Sequence, residues 1–201
     1  MNQIDYFFLD IGFSWSLAKV TPYLSCIFLG IGALYFLRKL DIKKKWLKIV
    51  FLFTACIAPF LLYFSFFPIY EGDFIDSGIK SNSSLEFPSK KSLTVVVLPN
   101  CPYCYQSIVL MKKIKERNPS ISINYWVSSR DSLGEKSGIL KVIPSQFTIV
   151  RRPDHEKISA LVKASYPCFI ISNKGKALKQ WDNNQIGVSA LDEIEKFFKR
   201  N

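Results

Sequence analysis

At 201 residues, with 49% apolar and 21% charged side chains, the chain is too apolar to be disordered and long enough for one ordinary domain plus an extra segment. The formal charge of +11 raises nucleic acid as a partner, but six of the basic residues crowd into positions 38–48 (RKLDIKKKWLK), with neither a base-reading motif nor zinc-finger spacing. Nucleic-acid binding is therefore set aside.

Residues 20–37 (VTPYLSCIFLGIGALYFL) run for 18 positions without a charge, and residues 49–67 (IVFLFTACIAPFLLYFSFF) run for 19. At about 1.5 Å per residue, each nearly crosses a hydrocarbon core of about 30 Å. Residues 1–69 thus read as a membrane anchor with two transmembrane helices, about 16–37 and 46–67. Trp15 and Trp46 stand near the segment ends, where indole rings favour the interface. A signal peptide fits poorly, because Asp5 and Asp10 stand where a basic start is needed and no small-residue cleavage site follows. The loop 38–48 carries Arg38, Lys39, Lys43, Lys44, Lys45 and Lys48 against Asp41, whereas the outer flanks carry Asp5, Asp10, Glu71, Asp73 and Asp76. Short loops rich in Lys and Arg stay cytoplasmic, so both chain ends are expected on the far side of the membrane.

Residues 70–91, rich in Gly, Ser, Asn and Asp, read as a linker with one short strand at 85–87. Residues 92–201 follow as a compact domain. The β-branched run 93–98 (LTVVVL) is a buried strand, and residues 101–117 form a helix with Ile108, Leu110, Met111 and Ile114 on one side. Asn118-Pro119 stops it, and 121–127 alternates as a strand. A short apolar run at 147–150 and a helical pattern at 155–164 lead to a strand at 168–172, a turn at 173–175 and a hairpin partner at 177–181. The last helix reaches Phe198, with Ser189 as its cap and Asp192 completing a capping box. This order is α/β: a mixed sheet with helices over both faces.

The chemistry gathers at Cys101-Pro102-Tyr103-Cys104. With no second CxxC and no neighbouring His, a closed zinc site lacks ligands, so no metal is expected. A purely structural disulfide across two residues closes a tiny loop and stabilises little. A redox pair fits the position better. Cys101 falls at a helix N-terminus, where unpaired N–H groups and the macrodipole favour a thiolate that attacks. Cys104, one turn in and more buried, resolves the mixed disulfide, and Pro102 is pre-shaped for the first helical turn. Cys168 reads first as a small buried hydrophobe, with a third redox thiol as the competing role. Cys26 and Cys56 fall at similar depth on the two antiparallel apolar segments, among small residues that allow close approach. They are either small residues tolerated in lipid or a thiol pair relaying reducing equivalents across the membrane to Cys101 and Cys104. His155, in a polar charged stretch, reads as a surface helix start. The excess of 17 Lys and Arg over 9 Asp and Glu from residue 92 onward reads as a solvated face that also favours anionic headgroups.

Strand, CxxC, helix, then Tyr166-Pro167 opening a strand hairpin (CFIISNKGKALKQW) and a terminal helix together resemble the thioredoxin superfamily. The room between Cys101 and Pro167 for an insert at 144–150 is similar to membrane-tethered TlpA/ResA-like thiol-disulfide proteins, although CPYC itself is glutaredoxin-like. The resemblance covers about residues 85–201 and implies a thioredoxin-like fold, a cis-proline loop at Tyr166 and Pro167 that docks the substrate chain, and a potential tuned by Pro102 and Tyr103. It differs in having Asn100 where a tryptophan is common, Cys168 where a threonine is common, and no acid in the strand before the motif. The expected protein is a membrane-anchored thiol-disulfide oxidoreductase of the bacterial cytoplasmic membrane, with its domain on the periplasmic side. It would need no cofactor beyond the Cys101–Cys104 disulfide, and its partners would be cysteine-containing exported proteins and a membrane or soluble thiol donor or acceptor. A tethered thioredoxin-fold scaffold or chaperone without redox turnover is the alternative. Direction of electron flow is left open by the residues. For the relay, replacing Cys26 and Cys56 together by Ser should change the cellular redox state of the CPYC pair, as read by thiol-specific gel shift. An unchanged state sinks the relay.

Overall fold

The computed structural model describes residues 2–39, 44–81, 85–128, 138–152 and 154–199. Residues 40–43 of the basic loop and 82–84 of the linker stretch lie outside the described residues. The chain divides into two compact units, Met1–Asp73 and Phe74–Asn201.

The first unit opens with a helix the sequence reading did not anticipate, α1 (Gln3–Asp10). Its start is a capping box: the Asp5 amide donates to Asn2 Oδ1 at 2.8 Å, and the Asn2 amide donates to Asp5 Oδ2 at 3.0 Å. Helices α2 (Trp15–Leu37) and α3 (Lys45–Phe66) follow, with 23 and 22 residues, and both are long and apolar enough to cross a membrane. They pack closely where Gly30 meets the Cys56 backbone; a Cβ at Gly30 would run into the Cys56 carbonyl oxygen. Away from that seam, Phe28, Phe36, Phe53 and Phe66 are exposed, an arrangement suited to a hydrocarbon solvent and costly in water.

Two expectations change here. Trp15 does not face an interface but is fully buried at 0% exposure, near where α1 folds back on α2. Cys26 and Cys56 are not level: Cys56 faces Gly30, four residues beyond Cys26, an axial offset of about 6 Å. The end of the hairpin nearest α1 is tied by polar groups. Asn2 Nδ2 donates to the Tyr63 hydroxyl at 2.8 Å, the Tyr23 hydroxyl donates to the Phe67 carbonyl, and Lys19 lies 4.0 Å from Asp73.

The second unit is built on a six-stranded sheet: β1 (Ile79–Lys80), β2 (Ser92–Val97), β3 (Ile123–Ser128), β4 (Thr148–Arg152), β5 (Cys168–Asn173) and β6 (Lys176–Trp181). The order across it is β1-β6-β5-β2-β3-β4. Strands β2, β3 and β4 are parallel, while β2–β5, β5–β6 and β6–β1 pair antiparallel. Helices α4 (Pro102–Arg117), α5 (Gly138–Val142), α6 (His155–Leu161) and α7 (Val188–Lys199) complete the unit.

Much of the stretch expected to be a linker belongs to this unit. Ile79 pairs with Gln180, and Leu85 and Phe87 pack into the core without forming the strand expected at 85–87. Asp76 fastens the stretch, accepting from Trp181 Nε1 at 2.8 Å and from the Gly78 amide at 3.1 Å, and pairing with Lys179. Burial opposes its ionisation, yet hydrogen bonds with Glu193, Lys179, Trp181 and Gly78 hold Asp76 well below the usual carboxylate range. The run at 147–150 is likewise an edge strand of the sheet, β4. Helix α7 begins at Val188, so Ser189 lies inside the first turn and does not cap it. Helix α6 stops at Leu161, and Lys163 and Ala164 turn left-handed just beyond.

Strand alternation sorts the core. Val96, Trp126, Cys168 and Ile170 share one face with Phe87, Ile158 and Val162. Val95, Val97, Tyr125, Val127 and Phe169 therefore point to the other face, with the buried side of α4. Arg117 near the end of α4 binds the nearly buried Glu195 of α7, with Nε at 2.8 Å from Oε1, which locks the two helices together over that face.

Replacing Gly30 by Val should separate α2 from α3 at a cost of about 1–3 kcal/mol, read as a lower unfolding midpoint in detergent by Trp15 fluorescence. Gly32 has open space around it, so Gly32→Val should leave that midpoint unchanged.

Candidate active site

Strand β2 ends at Val97, and the chain turns through residues 98–100 into α4. Cys101 is the N-cap, with extended backbone (φ −95°, ψ 114°), and Pro102 takes the first helical position, where a missing N–H costs nothing. The Cys101 sulfur accepts from the Cys104 amide at 3.2 Å, so it does the work of a capping oxygen. Cys101 and Cys104 are joined as a disulfide, with Cα atoms 5.2 Å apart. The first turn of α4 carries no acidic side chain to oppose a thiolate, and Lys115 and Arg117 sit in the last turn. The two sulfurs are not equivalent: Cys104 is fully buried, while Cys101 is half-buried and its neighbour Tyr103 is 57% exposed.

A second segment closes on this corner from 65 residues away: the Tyr166–Pro167 peptide is cis, and the Tyr166 carbonyl oxygen lies 4.0 Å from Cys101 Sγ. The Tyr166 ring packs against the Phe87, Val96 and Trp126 cluster, which fixes the loop from below. The structure thus brings Cys101, Pro102, Tyr103, Cys104, Tyr166 and Pro167 into one place. Cys26 and Cys56 belong to the first unit and carry free thiols.

Cys168 follows Pro167 directly, but its side chain points to the opposite face of the sheet from α4 and is 1% exposed. Burial, with a smaller effect from Asp182, pushes its thiol up to about 12. It is free and packs as a small hydrophobe. His155 opens α6 and pairs its Nδ1 with Ser128 Oγ at 2.8 Å.

Two residues behind the disulfide escaped the sequence reading. Ser107, buried one turn beyond Cys104, donates to the Cys104 carbonyl at 2.7 Å. Tyr125, fully buried on β3, lies beside Ser107; burial pushes its phenol well above its ordinary value, and Ser107 works in the opposite direction. The available signal was spacing: Ser107 stands three positions after Cys104 on the buried side of α4.

A parallel β2-α4-β3 unit, a dithiol at the N-terminus of its helix, a cis-proline opening an antiparallel hairpin, and a closing helix define the thioredoxin-like fold. No protein-family model matches the chain, and no curated protein matches it. Among solved structures, the chain is similar to a putative thiol:disulfide interchange protein DsbE from Chlorobium tepidum, at 15% identity over 58% of this chain and 94% of that one, with a TM-score of 0.45. It is also similar to a putative thioredoxin from Neisseria meningitidis (20% identity, 56% and 77% covered, TM-score 0.44). StoA from Bacillus subtilis is a third (14% identity, 60% and 97% covered, TM-score 0.42). The fold assignment itself rests on the sheet order, the helix placement and the cis-proline corner described above.

After reduction, iodoacetamide at pH 8 should label Cys101 first and leave Cys168 unlabelled until the protein is denatured, by peptide mass mapping. Because the Cys168 thiol ionises only at about 12, its labelling in the native state should stay flat up to about pH 10.

Proposed function

We propose that the chain is a membrane-anchored thiol-disulfide oxidoreductase that exchanges disulfides with cysteine-containing exported proteins through Cys101 and Cys104. The observation that carries this reading is the asymmetry of the pair. One sulfur is half-exposed at a helix N-terminus beside the Tyr166 carbonyl, and the other is buried one turn in.

In the oxidising direction, a client thiolate attacks Cys101 Sγ, the Cys101–Cys104 bond breaks, and Cys104 leaves with the electron pair and takes up a proton. A second client thiolate then attacks the client sulfur of the mixed disulfide. This releases Cys101 as a thiolate and the client as a disulfide, so two electrons have moved from client to enzyme. The reducing direction is the same path reversed, with Cys101 as nucleophile and Cys104 as resolving thiol. Which direction runs is set by the potential of the couple against its compartment. Electrons travel as thiols, so no organic cofactor or metal is required.

The backbone of the partly buried Tyr166, whose carbonyl lies beside Cys101, offers a client chain a place to lie across the sulfur, and Pro102 and Tyr103 tune the couple. The two apolar helices anchor the enzyme in the bacterial cytoplasmic membrane, and the basic loop between them faces the cytoplasm. That polarity sets the thioredoxin-like domain on the periplasmic side, where exported proteins acquire disulfides.

Cys104→Ser should trap client proteins through Cys101 as adducts that dithiothreitol releases, and a further Cys101→Ala change should abolish them. Complete absence of such adducts would count against the assignment. A scaffold without redox turnover would instead leave insulin unreduced and tolerate Cys101→Ala in cells.

A further inference from the structure

The Tyr125 phenol is a buried donor whose partner is missing while the disulfide is closed. Its residue is 0% exposed, and the adjacent Ser107 Oγ, which gives its own proton to the Cys104 carbonyl at 2.7 Å, stands outside hydrogen-bond geometry with the phenol. Native interiors rarely leave such a group unsatisfied without a use for it.

Its position narrows that use. Tyr125 stands opposite Val95 in the β2–β3 register, on the sheet face toward the buried side of α4. That side of α4 carries Cys104 and Ser107 one turn apart, and the strand positions around it on that face, Val95, Val97 and Val127, are apolar. Two other buried polar side chains with unpartnered atoms, Thr94 and Asn124, fall on the opposite face by strand alternation and cannot reach the sulfur. When the disulfide opens, the leaving Cys104 sulfur becomes an acceptor in this apolar wall, where burying a charge without a hydrogen bond is costly.

We propose that Tyr125 is a positioning residue for the resolving sulfur, its phenol O–H turning to hydrogen-bond Cys104 Sγ once the Cys101–Cys104 bond has broken. The idea rests on the thiol-disulfide reading above. No net atom moves through Tyr125. The two electrons come from the client dithiol, the proton on Cys104 comes from solvent, and the phenol keeps its own. The effect is to favour the reduced pair and so to make the couple more oxidising.

The test is the equilibrium constant of the full-length protein in detergent against reduced and oxidised glutathione, read by thiol-specific gel shift. Tyr125→Phe should lower the constant for reduction about tenfold, a potential about 30 mV more negative. It should not lower the melting temperature of the oxidised form, because there the lost hydroxyl had no partner. Tyr105→Phe, which removes a phenol oxygen from α4 itself, should not move the constant. A Tyr125→Phe constant equal to wild type overturns the proposal while leaving the oxidoreductase intact. A wild-type chain that does not exchange with glutathione at all removes both. Should the variant not fold, the wild type alone decides: the 13Cζ resonance of labelled Tyr125 should shift on reduction, and an unmoved resonance overturns the proposal.

Discussion

The second unit depends on one arrangement: a sulfur standing where a helix needs a capping acceptor. Cys101 accepts from the Cys104 amide, and its neighbours supply the unpaired N–H groups of a first turn that carries no acid. The same turn buries Cys104, because it begins the helix face that continues through Ser107, Ile108, Met111 and Ile114. Capping and the division between a half-buried and a fully buried sulfur are therefore consequences of a single strand-to-helix corner. The corner is rigid because its two supports are rigid. Strand β2 is central, buried along its whole length, and hydrogen-bonded on both sides, while the far end of α4 is locked to α7 by Arg117 and Glu195.

The sheet then decides which other groups can take part. A side chain's face is set by strand parity, so Cys168, adjacent in sequence to the cis-proline, is turned away from the Cys101–Cys104 side and buried among Val96, Trp126 and Ile170. Tyr125, remote in sequence, is delivered to the disulfide's side. Tyr166 reaches Cys101 only because β5 pairs antiparallel with β2 and carries the preceding loop to the β2-α4 corner.

The first unit obeys different physics. Its outward side chains are apolar, as suits a hydrocarbon solvent, and the helices meet by close approach at Gly30 and by satisfied polar groups at the end near α1. Lys19 beside Asp73 belongs to the same logic, a nearly buried cation kept next to a carboxylate.

Much of this was legible in residue order. The apolar runs are continuous, the CPYC pair sits between a β-branched strand and a periodic helix, and proline and glycine punctuate the hairpin; such signals are local, and local chemistry writes them directly into the sequence. What only the tertiary structure decided is long-range. The stretch around Asp76 looked like a tether because its residues follow neither a helix nor a strand period; the side chains that fasten it, Lys179 and Trp181, lie about a hundred residues on. Trp15 looked interfacial until α1 was seen to fold back on α2. Cys26 and Cys56 looked level until the close packing at Gly30 set the register between the helices. The role open to Tyr125 depends on a parallel β2–β3 pairing that no spacing within one strand records, because a pairing register belongs to two segments at once.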